Sequence, residues 1–252
     1  MGLKIMDIKR NIKCEFSYDG TEYHGLQIQP NQRTIQGELE KSIYKLSKEK
    51  VNIIASGRTD AGVHARKQVC NFITDSKIPA EKWKDALNSV LPSDIIVLNT
   101  EEVPLAFHSR FDVTKKVYRY YLLNNKNVDI FRRNFTWHYP YPLNLGKMIE
   151  ASKIFLGEHD FTSFSSVKAD IEDKTRIIYE SDIWEENNEI IFQISGNGFL
   201  YNMVRIIFGT IVEIGSNKLE LENVGELLKV KNRSLAGKTA PARGLVLWDI
   251  FY

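Results

Sequence analysis

The sequence predicts an α+β protein built from two α/β halves, each with a mixed, mostly antiparallel sheet flanked by helices. Two observations support this fold class. Strand-like and helix-like patterns alternate along both parts of the chain, and hairpin patterns among them argue against a purely parallel sheet. The length of 252 residues suits one large domain or two small ones. We expect an N-terminal extension at residues 1–10, a first half at 11–108 and a second half at 109–252.

The first half begins with a strand over residues 12–18, in which apolar and polar side chains alternate before the Asp19-Gly20 turn. A helix is predicted over residues 35–46, because apolar residues recur there at helical spacing. The further elements of this half are strands at 51–56 and 68–74, a helix opened by Pro79 with Trp83, Leu87 and Val90 on one face, and a short buried strand at 95–98.

The second half opens with a strand over residues 117–123 that carries Tyr118, Tyr120 and Leu122 on one side. Two strands, 177–184 and 189–195, are expected to pair as a hairpin across Asn187-Asn188. The other predicted elements are a helix marked by Leu145, Met148, Ser152 and Phe155 that Gly157 can end, an apolar helix at 199–214 stopped by Gly215, and a last strand at 245–252.

Composition and charge exclude several classes of protein. The chain is 43% hydrophobic and 26% charged, and no apolar run approaches the roughly 18 residues of a membrane helix. The two cysteines exclude a disulfide scaffold and fit a reducing compartment, so we expect a cytoplasmic protein. Basic residues dominate at 110–133 and 229–243. This distribution favours a face that binds a polyanion, and an ordinary solvated surface is the alternative.

Glycine and histidine patterns give little support to a nucleotide cofactor or a metal. Gly196-Asn197-Gly198 follows a strand as a dinucleotide fingerprint would, but Tyr201 occupies the third glycine position. Residues 237–239 resemble the end of a phosphate loop, but Pro241 blocks the helix that should follow. The five histidines are scattered without metal-ligand spacing. We therefore expect neither a nucleotide cofactor nor a metal.

Residues 57–65, with the sequence G-R-T-D-A-G-V-H-A, are the best candidate for chemistry. They form a polar loop between two predicted strands, which is a common position for reactive groups on a rigid scaffold. Asp60 could instead serve only as a turn residue. Arg205 lies in the apolar helix, where a buried guanidinium needs an anionic partner. Asp60 is a suitable partner, and a purely structural ion pair is the alternative.

A series of motifs makes the chain resemble the tRNA pseudouridine synthase A family almost from end to end. The motifs occur in the order Y-D-G-T at 18–21, Y-H-G-L-Q-I-Q at 23–29, I-Q-G-E-L-E at 35–40, G-R-T-D-A-G-V-H-A at 57–65, L-P-S-D-I at 91–95, F-H-S-R-F at 107–111, V-Y-R-Y-Y at 117–121, G-E-H-D-F-T-S-F at 157–164, G-N-G-F-L-Y-N-M-V-R at 196–205 and A-G-K-T-A-P-A-R-G-L at 236–245. Leu26 departs from the pattern, since the family usually has tryptophan there.

The resemblance implies a function, a fold and a set of partners. The implied reaction converts uridine to pseudouridine in the anticodon stem-loop of tRNA, at positions 38, 39 and 40. The implied architecture is the pseudouridine synthase fold, with the active-site cleft between the two halves. The family needs no cofactor and no metal, and it forms homodimers in which one tRNA contacts both subunits. A tRNA-binding protein without catalysis is the alternative function.

The resemblance also implies a role for each of five residues. Asp60 matches the catalytic aspartate, which acts as nucleophile or base. Arg58 matches the arginine that helps to open the stem and hold the flipped-out nucleotide. Tyr118 matches the tyrosine that stacks on the uracil, and Leu245 matches an apolar wall of the pocket. Arg205 matches the arginine that pairs with the catalytic aspartate, in agreement with the argument from its apolar helix.

Overall fold

The structure of the protein is a computed structural model that describes residues 9–166 and 171–252. The described residues form two compact units. The first contains the chain up to Val113 together with Tyr252, and the second is Thr114–Phe251. Each unit contains a sheet and flanking helices, so the predicted α+β class is confirmed. No helix in these two ranges is long and apolar enough to cross a membrane.

The first unit has a three-stranded antiparallel core in the order β4-β1-β3, and a short strand, β2, pairs with β3. Its elements are β1 (Arg10–Tyr18), α1 (Ile35–Ser47), β2 (Ile54–Ala55), β3 (His64–Thr74), α2 (Trp83–Asn88) and β4 (Ile95–Val103).

Alternation along β1 determines which face of this sheet is buried. Ile12, Cys14, Phe16 and Tyr18 are all buried, as the sequence predicted for one face of a half-buried strand. Thr34 begins α1 by accepting a hydrogen bond from the Gly37 amide, and α1 buries Ile35, Leu39 and Ile43. α2 buries Trp83 and Leu87, and the Trp83 ring meets Phe72 of β3 edge-on with centroids 5.3 Å apart.

The second unit contains five antiparallel strands in the order β10-β5-β9-β8-β7, and β6 pairs in parallel with β5. The sheet is therefore mixed and mostly antiparallel. Its elements are β5 (Lys115–Leu123), β6 (Trp137–His138), α3 (Leu145–Lys153), β7 (Gly157–Asp160), β8 (Thr175–Glu186), β9 (Glu189–Gly196), α4 (Met203–Gly215), α5 (Asn223–Val230) and β10 (Leu245–Phe251).

Helix α4 packs on the sheet of the second unit through aromatic side chains. The Phe208 ring stacks on Phe192 of β9 at 5.2 Å and lies 4.5 Å from the Tyr120 ring of β5, measured between centroids. Only Arg205 and Glu213 of α4 are not buried. A helix that is apolar on nearly all sides is expected to be enclosed on nearly all sides, and this prediction is confirmed.

Four predicted elements of the first unit have different bounds in the structure. The strand predicted at 68–74 begins earlier, at His64, as β3. The strand predicted at 51–56 is reduced to β2. The helix opened by Pro79 starts with a 3-10 turn, and α2 ends at Asn88, so Val90 lies outside it. β4 continues to Val103 and is not fully buried: Ile96 is 52% exposed. Among the described residues of this unit, β4 pairs only with β1, and its side chains alternate between a buried and an exposed face.

The second unit differs from prediction at two helix ends and in three additional elements. α3 ends at Lys153, and Gly157 begins β7 with a φ of 93° instead of ending the helix. α4 begins at Met203 rather than at residue 199, because Asn202 takes the left-handed conformation with φ 62°. The elements β6, β7 and α5 were not predicted. The predicted hairpin across Asn187 and Asn188 is confirmed, and both residues have positive φ.

Candidate active site

The segment that carries Arg58 and Asp60 is the loop between β2 and β3. The amide of Val63 donates to the Asp60 carbonyl oxygen at 3.1 Å, which closes a turn before β3 begins. Gly62 lies inside this turn with a φ of 77°, a conformation that glycine adopts without strain. Asp60 contributes its backbone carbonyl to this turn, and its side chain is half-buried rather than enclosed.

A second segment, residues 20–26, packs directly against this loop through backbone atoms. The Leu26 amide donates to the Thr59 carbonyl at 3.2 Å, and the Gly62 amide donates to the Tyr23 carbonyl at 3.3 Å. Gly25 has a φ of 87°, and a β-carbon there would lie 2.7 Å from the Thr59 oxygen. Only glycine permits so close an approach. Leu26, where the family usually has tryptophan, thus lies beside the candidate loop, and its side chain is buried.

Burial alternates along the candidate loop. The Thr59 side chain points into the protein and is buried, whereas Arg58 is exposed and Asp60 is half-buried. The Thr59 hydroxyl lies 2.7 Å from the Tyr18 hydroxyl, below the loop. The loop therefore has an inward-pointing anchor between the two residues that the sequence identified as functional.

Tyr118 and Leu245 lie on one face of the sheet in the second unit. In the pairing of β5 with β10, Tyr120 is opposite Leu245 and Tyr118 is opposite Leu247. Directly opposed residues project on the same side, so Tyr118 and Leu245 are diagonal neighbours on the buried face. The Tyr118 ring meets Phe199 edge-on, with centroids 5.1 Å apart. This contact leaves Tyr118 only 8% exposed.

Arg205 lies in the first turn of α4, and its side chain is held at two points. Its Nε donates to the Ala240 carbonyl oxygen at 2.8 Å, and its Nη1 donates to Asn202 Oδ1 at 2.8 Å. The Ala240 amide in turn donates to the Arg205 carbonyl at 3.0 Å. Arg205 is part-exposed, so the expectation of a buried guanidinium is wrong; the residue lies in the first turn, and only the rest of the helix is enclosed. The pairing of Arg205 with Asp60 stays a prediction.

Ala240 is a partner that the sequence reasoning missed, and two glycines explain its position. A β-carbon on Gly209 would overlap the Lys238 carbonyl oxygen, and one on Gly237 would lie 2.6 Å from the Thr210 α-carbon. Residues 237–240 can therefore cross α4 in backbone contact. The signals in the sequence are the two glycines, and Gly237 lies in the segment that resembles the end of a phosphate loop.

The two motifs considered for a nucleotide have structural roles within the second unit. A β-carbon on Gly196 would lie 2.5 Å from the Ile177 carbonyl, so glycine is needed where β9 passes β8. The Asn197 side chain accepts a hydrogen bond from the Ile177 amide at 3.0 Å. Among the residues that the structure describes, no group of three or more His, Cys, Asp or Glu side chains could hold a metal ion.

Comparison with known proteins gives consistent similarities along the whole chain. The sequence model of a family described as tRNA pseudouridine synthase matches residues 16–112 and 151–252. A protein of Bacillus cereus named "tRNA pseudouridine synthase A 1" is 50% identical over 242 residues, which cover 96% of this chain and 98% of the relative. A "tRNA pseudouridine synthase A" of Anoxybacillus flavithermus is 50% identical over 245 residues, covering 96% of this chain and 99% of its own.

A third relative, the "tRNA pseudouridine synthase A" of Halalkalibacterium halodurans, is 49% identical over 238 residues, which cover 94% of this chain and 90% of that protein. The identity is high, the shared region spans nearly the full length of each relative, and the family model matches most of the chain. This chain therefore belongs to the tRNA pseudouridine synthase family.

Proposed function

We propose that this protein isomerises uridine to pseudouridine in the anticodon stem-loop of tRNA, at positions 38, 39 and 40, with Asp60 as the catalytic nucleophile or base. One observation carries the proposal. Asp60 stands on a loop held by backbone contacts with residues 20–26, in a chain that is 50% identical to tRNA pseudouridine synthases A along nearly its whole length. A rigidly held carboxylate is what a reaction at a single sugar carbon requires.

The reaction needs one well-placed carboxylate and no external reagent. The N1–C1′ bond of the uridine breaks, the uracil turns, and a bond forms between C5 and C1′. The hydrogen on C5 leaves as a proton to water and N1 takes up a proton, so the product is an isomer of the substrate and nothing is oxidised or reduced. A carboxylate near C1′, C2′ and C6 can attack as a nucleophile or remove a proton. Asp60 is our candidate for this group.

The other site residues have chemistry that suits the steps around the isomerisation. A base inside a stem must leave its stack before it can react. Arg58 is exposed beside Asp60, so its guanidinium is available to occupy the space of a displaced base. Tyr118 is the candidate stacking partner of the detached uracil, and Phe199 supports its ring edge-on. Leu245 supplies apolar surface, and Arg205 supplies the cation for the Asp60 carboxylate.

The proposal includes three further points that follow from the family. The substrate is tRNA, the active form is a homodimer, and no nucleotide cofactor is needed. The protein works in the cytoplasm, a location that follows from its two cysteines rather than from the family. The basic segments at 110–133 and 229–243 provide positive charge for phosphate contacts. Light scattering after size-exclusion chromatography tests the homodimer, because a monomeric mass for the active enzyme would contradict it.

Tritium release from tRNA labelled at uridine C5 tests the reaction directly. Pseudouridine and uridine have the same mass, so intact mass does not report the product, whereas C5–C1′ bond formation expels the label into water. We expect release by the wild type and none by Asp60→Asn, which keeps the shape of the side chain. Asp85→Asn is the matched control, because it removes the same charge from an exposed position on α2.

Binding must be measured beside turnover. Asp60→Asn should bind tRNA as the wild type does, since the substitution leaves the basic segments unchanged. Release of label by Asp60→Asn at the wild-type rate would remove Asp60 from the mechanism. Tight tRNA binding without release by the wild type would favour the non-catalytic tRNA-binding protein instead.

A further inference from the structure

A buried polar cluster lies beneath the loop that carries Asp60. Tyr18, at the end of β1, is 4% exposed, and its hydroxyl lies 2.7 Å from Thr59 Oγ1. Gln68, on β3, is fully buried. Its Nε2 donates to the Gly57 carbonyl at 3.1 Å, and its Oε1 accepts from the Ser56 hydroxyl at 2.5 Å and from the Val69 amide at 3.0 Å.

The cluster contacts the loop at two positions, one on each side of Arg58. Gln68 holds the backbone at Gly57, immediately before Arg58, and Tyr18 holds the side chain of Thr59, immediately before Asp60. Threonine is β-branched, so its χ1 angle has few alternatives, and fixing its hydroxyl also fixes its backbone. Two side chains from different strands therefore determine how the loop leaves the sheet.

The environment of the Tyr18 hydroxyl indicates a neutral group close to the site. Burial raises the pKa of Tyr18 to about 12, hydrogen bonds to Thr59 and Gln68 act against that rise, and the charge of Asp60 adds to it. The hydroxyl therefore stays protonated at neutral pH. It can orient its neighbours but is a poor acid or base for the reaction.

We propose that Tyr18 and Gln68 are positioning residues for the reaction and that they act on Asp60 through the loop that carries it. This inference rests on the proposed function, because it assigns a purpose to the cluster only if Asp60 is the reacting group. The physical reason is geometric. A catalytic group displaced by about 1 Å can lose on the order of a hundredfold in rate. A loop anchored on one side only would allow such displacement.

A double-mutant cycle on the Tyr18–Thr59 hydrogen bond is the decisive test. Tyr18→Phe and Thr59→Val each remove one hydroxyl and keep the shape of the side chain. In the tritium-release assay, we expect each single variant to lower kcat by about ten- to a hundredfold. The KM for tRNA should stay within about twofold of the wild type, since no contact with substrate is removed. The double variant should be no slower than Tyr18→Phe, because Tyr18→Phe already breaks the one hydrogen bond that Thr59→Val removes.

Three additional variants separate positioning from a general loss of stability. Thr59→Ser keeps the hydroxyl but loses the β-branch that restricts χ1, so its kcat should fall less than that of Thr59→Val. Gln68→Met removes the donor to the Gly57 carbonyl and should lower kcat as Tyr18→Phe does. Tyr252→Phe is the matched control: its hydroxyl donates to the Ser109 carbonyl at 2.8 Å in the same unit, away from the loop. That variant should turn over at the wild-type rate.

Four results would overturn the positioning role. The first is a wild-type kcat for Tyr18→Phe, and the second is full additivity of the two single effects in the Tyr18–Thr59 cycle. The third is a loss of kcat in Tyr252→Phe equal to that in Tyr18→Phe. The fourth is a basic limb in the wild-type kcat–pH profile that is absent from the profile of Tyr18→Phe. The last result would make Tyr18 a proton donor. Failure of the proposed function is recognised separately, because the wild type would then release no tritium, or Asp60→Asn would release as much as the wild type.

Discussion

Gly209→Ala adds one methyl group to α4 at the point where residues 237–240 cross the helix. The added carbon would overlap the Lys238 carbonyl oxygen and lie 3.0 Å from the carbonyl carbon and 3.2 Å from the Ala240 nitrogen. All three atoms belong to the backbone, so no side chain can rotate out of the way. The substitution must therefore push the crossing segment away from the helix.

The cost of this movement follows from the hydrogen bonds that hold the segment. Ala240 exchanges two hydrogen bonds with Arg205, at 3.0 and 2.8 Å, and the Gly237 amide donates to Thr210 Oγ1 at 3.0 Å. Overpacking costs about 1–3 kcal/mol. Each weakened hydrogen bond adds about 0.5–1.5 kcal/mol. The better helix propensity of alanine offsets about 1 kcal/mol. We expect the free energy of unfolding to fall by roughly 3 kcal/mol.

Urea unfolding followed by tryptophan fluorescence measures this difference. Gly225→Ala is the matched control, because it makes the same change in α5, where no atom lies within 4 Å of the added carbon. The control should be as stable as the wild type or more stable by up to about 1 kcal/mol. Gly209→Ala should also lose activity, since the Ala240 carbonyl fixes Arg205. A wild-type unfolding midpoint for Gly209→Ala would refute the close-contact argument.

Four further predictions concern the side chains of the candidate site and the binding of tRNA. Arg205→Ala removes the donors to Ala240 and Asn202; it should lower the free energy of unfolding by about 2–4 kcal/mol, and an unchanged urea midpoint would contradict this. Tyr118→Phe keeps the ring against Phe199; its kcat should stay within about threefold of the wild type if only stacking matters. The pKa of Tyr18 is raised from 10.0 to about 12, so its stabilising effect is complete below pH 10 and is lost as the pH rises to about 12. Across that interval the wild type should lose about 2–3 kcal/mol more than Tyr18→Phe, and equal losses would argue against a buried hydroxyl. Finally, tRNA affinity should fall steeply between low and moderate salt in a filter-binding assay, and a flat response would argue against phosphate contacts.

Local sequence patterns were sufficient to predict an element wherever its conformation depends on neighbouring residues alone. Alternation placed β1 and β5 with the correct residues buried. The Asn187-Asn188 pair set the hairpin of β8 and β9, because asparagine tolerates the positive φ that a tight turn needs. α5 is different, since Val224, Leu227 and Leu228 had helical spacing that the sequence reasoning overlooked.

The ends of helices and the close backbone contacts depend on residues that are far apart in the sequence, so local patterns did not predict them. Phe199, Leu200 and Tyr201 extend the apolar pattern of the helix that follows, so periodicity alone could not show that the chain turns at Asn202 and that the helix begins after it. Phe199 instead packs on Tyr118, about 80 residues earlier in the chain. Gly157 illustrates the same problem, because a glycine after a helix can end the helix or begin a strand.

The sequence predicted which residues belong to the candidate site, but it did not predict the contacts that hold them in place. The loop at 57–65 and Arg205 were identified from sequence, and Arg58, Asp60, Tyr118 and Leu245 gained their expected roles from the family resemblance. The contacts that fix these residues were not visible. Neither the Thr59–Tyr18 hydrogen bond nor the Arg205–Ala240 pair leaves a periodic signal, since each joins residues more than 30 positions apart.

The crossing of α4 by residues 237–240 also has a consequence for how the protein is made. On the ribosome α4 emerges before the segment that covers its Gly209 side, and translation adds about 5–20 residues per second. For on the order of seconds, the most apolar helix of the chain is complete but one side of it is open to solvent. A released chain that ends between residues 216 and 236 should therefore bind chaperones more strongly than the full-length chain. The close crossing that Gly209 and Gly237 permit is thus one of the last contacts that synthesis completes.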